Sequence, residues 1–308
     1  MQFDWSIRTL KEWRGYLART QNTNWMQSWA YAQATFATEY FRTRMALVIH
    51  NNQPVAMMSV QEIKFGPLHF VNLKRGPLWF EKPTEELFLD FAKTFRKEFP
   101  KSLGQRLRWM PEFELAKETL SELQNIGFKL HQHTFTTSWI NLELSEADLR
   151  KNLQQKWRNC LNKSLRSTLE INVETSNKNF SMFMNYFKKH VREKKYQAPS
   201  ERFLKAEFNE LSYQADNYFI WAFIEGVPVA AIAIVTQGAT ACYRLGWTTD
   251  EGRKYNAHYA LIWKALLVAK EKNLTAFDVG GLLLDESLGF NRFKVGLGGS
   301  ISNLVTLR

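Results

Sequence analysis

The order of predicted strands and helices repeats once along the chain, and this repeat limits the possible folds more than any other feature. In each half, two strands flank a short turn, at residues 51–54 and at residues 226–228, and a third strand follows. A helix and a further strand then complete each half. A duplicated α/β unit explains this order. We therefore predict an α/β (α+β) fold made of two tandem domains.

The predicted domains span residues 1–140 and 141–308, and residues 1–40 are expected to be largely helical. The hydrophobic fraction of 45% is sufficient for two packed cores and excludes a disordered chain. The net charge of +11 is spread over both halves. Such a surface suits RNA, an anionic membrane or phosphorylated substrates, although a basic protein without such a partner has the same composition.

The cysteines and the chain start bear on redox chemistry and location. Cys160 and Cys242 show no metal-ligand spacing, so we expect neither a disulfide framework nor a metal site. The first residues lack the basic and apolar segments of a signal peptide, and no apolar run is long enough to span a membrane. We therefore expect a cytoplasmic protein.

A basic helix is predicted at the start of the second domain. Ser145 and Asp148 form a capping-box pattern at its beginning. An apolar stripe follows at four-residue spacing: Leu149, Leu153, Trp157, Leu161 and Leu165. No acidic residue occurs from Arg150 to Arg166. This basic surface is either a solvated helix face or a contact for a nucleic-acid backbone.

Glycines are concentrated in residues 276–299, where a predicted strand ends at Asp278. A glycine pair and a short loop follow, and residues 291–294 (Asn-Arg-Phe-Lys) then lead into a second glycine cluster. Glycines at this density allow the backbone to approach a ligand closely. An arginine and a lysine among them can face a carbonyl oxygen or a phosphate.

Further motifs lie at residues 243–246 (Tyr-Arg-Leu-Gly), 256–259 (Asn-Ala-His-Tyr), 277–281 (Phe-Asp-Val-Gly-Gly) and 289–294, with weaker ones at 27–29, 75–79 and 156–159. These motifs give the chain a resemblance to the Fem family of aminoacyl-tRNA-dependent peptidyl transferases, which extend the peptide of peptidoglycan precursors. Their order along the chain is also that of the family, and the resemblance covers nearly all 308 residues.

The resemblance implies two tandem domains of the acetyltransferase (GNAT) type, as the repeat also indicates. It further implies that the chain lacks the coiled-coil hairpin insertion of the larger family members and is similar to compact members that act on nucleotide-linked precursors. Val295 and Leu297 stand where family members often have a basic and an aromatic residue. This departure bears on the substrate more than on the reaction.

The reaction implied is the attack of an amine on the ester carbonyl of an aminoacyl-tRNA. Because the conversion of an ester into an amide is downhill, we expect no metal and no cofactor beyond the aminoacyl-tRNA co-substrate. Lys294 matches the family's lysine near the donor carbonyl, where it would stabilise the oxyanion; its alternative is a surface lysine. Phe293 is expected to form a wall of the same site, or otherwise to be a core aromatic.

The resemblance and the residue types give two further groups of candidates. The predicted acceptor-binding residues are Lys74, Arg75, Tyr243, Arg244, Tyr259 and Trp29, of which Trp29 is also a candidate for the core. The predicted residues for the donor tRNA are Arg292, Lys156, Arg158 and Lys163. The expected partners are an aminoacyl-tRNA and an amine-bearing acceptor, either a nucleotide- or lipid-linked peptidoglycan precursor or another peptide or small amine.

Several alternatives remain open at this point. Arg292 can bind a phosphate or pair with Asp278, and Asp278 can act on the amine or only bond the strand end. An acyl-CoA-dependent acyltransferase of the same fold is the main rival, but residues 253–258 lack the glycines that hold the CoA pyrophosphate. A non-catalytic RNA-binding module would explain the basic helix but would leave the predicted loop from Arg292 to Gly299 without a purpose.

Overall fold

The computed structural model describes residues 1–20, 22–112, 114–195, 197–282 and 288–308, without the side chains of 132–134 and 288–290. The chain divides into two compact units. The first contains Met1–Thr136 and Ser302–Arg308, and the second contains Thr137–Ile301. The predicted domain limits stay a prediction, because compactness alone does not establish which segments fold independently.

The first unit contains seven strands and four α-helices among its described residues, counting only elements that begin in it. In chain order they are β1 (Gln2–Asp4), α1 (Leu10–Leu17), α2 (Trp29–Glu39), β2 (Arg42–His50), β3 (Gln53–Phe65), β4 (Leu68–Lys74), β5 (Leu78–Trp79), α3 (Glu85–Glu98), β6 (Gln105–Met110), α4 (Lys117–Asn125) and β7 (Leu130–Asn141), whose last residues belong to the second unit.

The sheet of the first unit has the order β1-β2-β3-β4-β6, with β5 paired to β3. Its strands are antiparallel except β4 and β6, which run parallel from His69–Gln105 to Lys74–Met110. Thr84 caps α3, and the helix buries one face of phenylalanines at three- and four-residue spacing: Phe88, Phe91 and Phe95. These rings pack against Trp109 of β6, so the core lies between α3 and the sheet.

The second unit contains the remaining elements. In chain order they are α5 (Glu146–Asn152), α6 (Gln155–Leu165), β8 (Glu170–Glu174), α7 (Phe180–Lys194), α8 (Glu201–Gln214), β9 (Asn217–Ile224), β10 (Val227–Gln237), β11 (Thr240–Thr248), α9 (Asp250–Lys254), α10 (Ala257–Glu271), β12 (Ala276–Asp278), α11 (Leu288–Val295) and β13 (Ser300–Leu307), whose last residues return to the first unit.

The sheet of the second unit repeats the plan of the first. Strands β8 to β11 are antiparallel neighbours, and β12 pairs with β11 in parallel after the α10 crossover. The end of β7 pairs with the other edge of β12. Helix α10 is apolar on most of its surface and buries Leu261, Ala265 and Ala269 in the core. The predicted duplication of strand hairpin, third strand, helix and further strand is therefore observed, and in each unit the further strand is parallel to the third strand.

Three local expectations are wrong. Gln2–Asp4 form a strand, because their backbone pairs with the edge of β2 and Phe3 packs against Phe91. The basic helix is two helices, because Leu153 and Gln154 are extended and Gln154 N donates to Gly296 O at 2.9 Å. The segment that carries Arg292 and Lys294 is not a loop but helix α11.

Candidate active site

The site is built where the two parallel strands of the second unit separate. Pairing between β11 and β12 ends at Cys242 and Asp278, while β11 continues to Thr248. The chain leaves β12 through Gly280, whose φ of +74° favours glycine. A Cβ atom at this position would lie 2.8 Å from Tyr243 O and 3.3 Å from Lys294 Nζ. Glycine is therefore required here both by conformation and by space.

Lys294 points its ammonium group at this strand end and is 4% exposed. Its Nζ donates to Gly281 O at 2.8 Å and lies 5.2 Å from the centre of the Tyr243 ring. Burial lowers the pKa of Lys294 from 10.5 to about 8, although the nearby Cys242 and Asp278 act in the opposite direction. The group is still mainly charged at pH 7, in surroundings that strengthen its electrostatic interactions.

Asp278 forms hydrogen bonds at the end of β12, as its position in the sequence indicates. Its Oδ1 accepts hydrogen bonds from the Gly280 N–H at 2.8 Å and from the Thr137 hydroxyl. The carboxylate is fully buried, whereas Arg292 is exposed on α11. These contacts fix the turn that carries Gly280 and so determine where the Lys294 ammonium group can lie.

Helix α11 is held from its other side by aromatic residues. Trp157 of α6 donates from Nε1 to Phe293 O at 2.9 Å, and the two rings stack with centroids 6.1 Å apart. Tyr259 of α10 packs edge-on against both rings, at 5.0 Å from each centroid. The backbone of the residue before Lys294 is therefore fixed by α6 and α10.

A tyrosine–histidine pair lies beside the lysine. Tyr243 Oη is 3.4 Å from His258 Nε2, and a Cβ atom at residue 246 would overlap Tyr243 Oη, which explains the glycine there. Burial, with smaller contributions from the neighbouring His190 and Arg253, lowers the pKa of His258 to about 3. The imidazole is therefore neutral at physiological pH and can accept a hydrogen bond from the tyrosine hydroxyl.

The start of α10 is the place where an acyl-CoA enzyme would hold a pyrophosphate. Here the short helix α9 precedes it, and the N–H groups of Tyr255 and Asn256 donate to Glu251 O at 3.3 Å and to Arg253 O at 3.1 Å. These N–H groups already have acceptors, so they do not form a phosphate cradle. This geometry disfavours the CoA-dependent alternative.

Comparison with known proteins covers most of the residues that form this site. Residues 162–306, which include β11, β12 and Lys294, match the model of the FemAB family. The resemblance to the Fem family is confirmed. No curated protein sequence matches the chain.

Solved structures agree with the predicted fold at low sequence identity. The crystal structure of FemX is similar with a TM-score of 0.80 and 12% identity, over 99% of this chain and 97% of that chain. A tandem GNAT protein from the clavulanic acid biosynthesis pathway has a TM-score of 0.55 and 11% identity, over 99% and 97%. The C-terminal domain of a putative lysylphosphatidylglycerol synthetase from Agrobacterium fabrum has a TM-score of 0.56 and 11% identity, over 94% and 90%. The tandem GNAT-like fold is thus confirmed.

Two arginines carried over from the Fem family have carboxylate partners. Arg244 pairs with Glu207 of α8 at 3.0 Å, and both side chains are buried. Arg75 is fully buried, with φ of +50°, and forms two hydrogen bonds to Glu112 at 2.6 and 2.8 Å. Their predicted acceptor-binding role stays a prediction, and these ion pairs favour a structural role instead.

The other predicted acceptor residues lie in varied surroundings. Lys74 Nζ donates to Tyr31 Oη at 2.8 Å, and Trp29 is half-buried against the core of the first unit. Burial raises the pKa of Tyr259 to about 12, with Cys160 of α6 adding to the effect. Tyr243 is the acceptor candidate that lies beside Lys294. Acceptor binding by all four stays a prediction.

The four residues predicted for the donor of this Fem-like chain do not share one face. Arg158 donates to the carbonyl groups of Lys151, at 3.3 Å, and Leu153, at 2.9 Å, so it closes the end of α5. Lys156 and Lys163 are exposed on another face of α6, and Arg292 is exposed on α11. Contact with tRNA stays a prediction for each of them.

The sequence analysis did not predict His258 or the two glutamates that pair with Arg75 and Arg244. Glu207 lies on the apolar face of α8 beside Phe203, Phe208 and Leu211, and a carboxylate in such a stripe is a signal for a buried cation nearby. No comparable signal marks Glu112. Within the described residues, no three potential metal ligands cluster and no helix is suited to cross a membrane.

Proposed function

We propose that the protein transfers an aminoacyl group from an aminoacyl-tRNA to an amine and forms an amide bond. The observation that carries the proposal is the buried ammonium group of Lys294 at the open end of the β11–β12 pair. The FemAB match includes this residue, and the fold of FemX supports a transferase. The proposed acceptor is the peptide of a peptidoglycan precursor, and the proposed location is the cytoplasm, where aminoacyl-tRNA is made.

In the proposed reaction, the acceptor nitrogen attacks the ester carbonyl carbon and the carbonyl oxygen becomes an oxyanion. Lys294 donates a hydrogen bond to this oxygen, in a site where burial makes its charge effective. The C–O ester bond then breaks, and the proton from the amine ends on the ribose oxygen that leaves. Atoms and charge balance without a metal or a cofactor. A donor of this kind contributes about 10²–10³ in rate.

The test supplies the protein with tRNA charged with a labelled amino-acid mixture and with a nucleotide-linked muropeptide. We expect label to move from tRNA into an amide that resists mild base. Lys294→Met should reduce this transfer at least 100-fold, as expected for loss of an oxyanion donor, while Lys205→Met on the exposed face of α8 should not. Label moving only from acetyl-CoA would refute the proposal in favour of the acyl-CoA alternative. Mass spectrometry of cell-wall peptides with and without the protein would then test the acceptor.

A further inference from the structure

We propose that one face of α6 binds the phosphate backbone of the donor RNA. This donor face consists of Asn159, Asn162, Lys163 and Arg166. The proposal rests on the proposed function only for the identity of the RNA. The evidence for an anion site comes from the face itself.

The four residues of the donor face are spaced so that they form one stripe along α6. Asn159, Asn162, Lys163 and Arg166 follow each other by three, one and three positions, which places them on one side of a helix. They line an open depression of about 510 Å³. Trp157 and Leu161 are buried on the opposite side. The helix is therefore anchored on one side and presents a shaped, polar surface on the other.

The hydrogen-bonding groups of the donor face are nearly all donors. Gln155 Nε2 donates to Asn159 Oδ1 at 3.0 Å, and Arg150 donates to Asn162 Oδ1. Each asparagine oxygen thus accepts a hydrogen bond from a neighbouring side chain of the protein, and the NH₂ groups can donate to a ligand. The lysine and the arginine can only donate. A ligand that fits such a surface must be rich in acceptors, as the anionic oxygens of a phosphodiester are.

The charge of the donor face is not neutralised nearby. In the described parts of the chain, neither Lys163 nor Arg166 has a carboxylate partner within ion-pair distance. The sequence from Arg150 to Arg166 contains six cations and no acid. Like charges three residues apart on a helix repel one another. A bound polyanion would relieve this repulsion.

The opposite side of α6 connects the donor face to the candidate active site. Trp157 donates to Phe293 O, and Gln154, just before α6, donates from its N–H to Gly296 O. Both contacts are made to the segment that carries Lys294. A nucleic acid held on α6 is therefore bound to an element that directly supports the proposed catalytic helix.

The experiment measures binding of labelled, deacylated, unfractionated tRNA to the full chain across a range of salt concentrations. The double variant Lys163→Ala/Arg166→Ala should bind about 30-fold more weakly at 0.15 M salt and lower the log–log salt slope by about 2, because two phosphate contacts are lost. The control Lys178→Ala/Lys205→Ala removes the same charge from exposed sites outside α6 and should keep the wild-type affinity. Unchanged thermal unfolding of both variants would show that they are folded.

The possible results separate this inference from the proposed function. If the wild type binds tRNA and the double variant binds equally well, the donor face is not the site, although the tRNA-dependent reaction stands. If the wild type does not bind tRNA, both ideas fall. A variant that keeps its tRNA affinity but loses binding to phosphatidylglycerol vesicles would overturn the inference in favour of a membrane surface.

Discussion

Replacing Lys294 with methionine should separate the stability of the protein from its activity. Folding lowers the pKa of Lys294 from 10.5 to about 8, because it removes water from the ammonium group. Below pH 8, Lys294 carries its proton in both the folded and the unfolded chain. The full cost of removing water from the ammonium group therefore destabilises the folded state. This lowering of the Lys294 pKa corresponds to a cost of roughly 3 kcal/mol in the free energy of unfolding.

This cost depends on pH in a defined direction. As the pH rises from 8 to 10.5, the folded protein releases the proton before the unfolded chain does, and wild-type stability increases. Methionine has no proton to lose. Between pH 7 and pH 10.5, the unfolding free energy of the wild type should therefore rise by about 3 kcal/mol relative to that of Lys294→Met. Loss of the bond to Gly281 O adds a cost of about 1–3 kcal/mol, which is nearly independent of pH.

The assay is urea unfolding of both proteins at several pH values, analysed by linear extrapolation. Using the pH dependence removes the constant contribution of the lost hydrogen bond. A difference that stays the same from pH 7 to pH 10.5 would refute the reasoning, since the ammonium group would then be as well stabilised in the folded protein as in water. The same variant should be inactive in aminoacyl transfer at every pH.

Three other predictions follow from the contacts of the second unit. The rate of transfer should fall as the pH rises through about 8, because Lys294 then loses the proton that it donates to the oxyanion; a rate that keeps rising to pH 9.5 would contradict this role. Trp157→Phe keeps the ring packing but loses the bond to Phe293 O, so kcat should fall several-fold with little change in KM, and an unchanged kcat would argue against a positioning role. Glu207→Leu removes the carboxylate that pairs with the buried Arg244 and should destabilise the protein by about 3–5 kcal/mol in urea unfolding, whereas Glu210→Leu on the same helix should change little.

The parts of the fold that local sequence determines could be predicted. The cap at Thr84 and the order of hairpin, helix and parallel strand depend on residues close in sequence, and the structure contains them. The break between α5 and α6 could not be predicted, because the leucine spacing continues through it. That break is stabilised by contacts between distant residues, such as Gln154 with Gly296. The local periodicity of the sequence does not indicate such contacts.

The residues of the candidate site also divide into those that the sequence could predict and those that it could not. The position of Lys294 among glycines followed from a motif that can be read in one stretch of sequence. The partners of Arg75 and Arg244 lie 37 residues away in each case, and only the folded topology brings them together. The sequence therefore cannot show that each arginine has a carboxylate partner.

The surroundings of Lys294 differ from those of the two buried arginines, and this difference supports the proposed site. Arg75 is paired with Glu112 and Arg244 with Glu207, so each charge is compensated by a carboxylate at hydrogen-bonding distance. For Lys294, the effect of burial is larger than the opposite effect of Cys242 and Asp278, and the pKa falls from 10.5 to about 8. A protein stabilised for architecture alone gains nothing from a buried charge that is costly to keep. The cost is understandable if the ammonium group is held ready for a negative charge that exists only during the reaction.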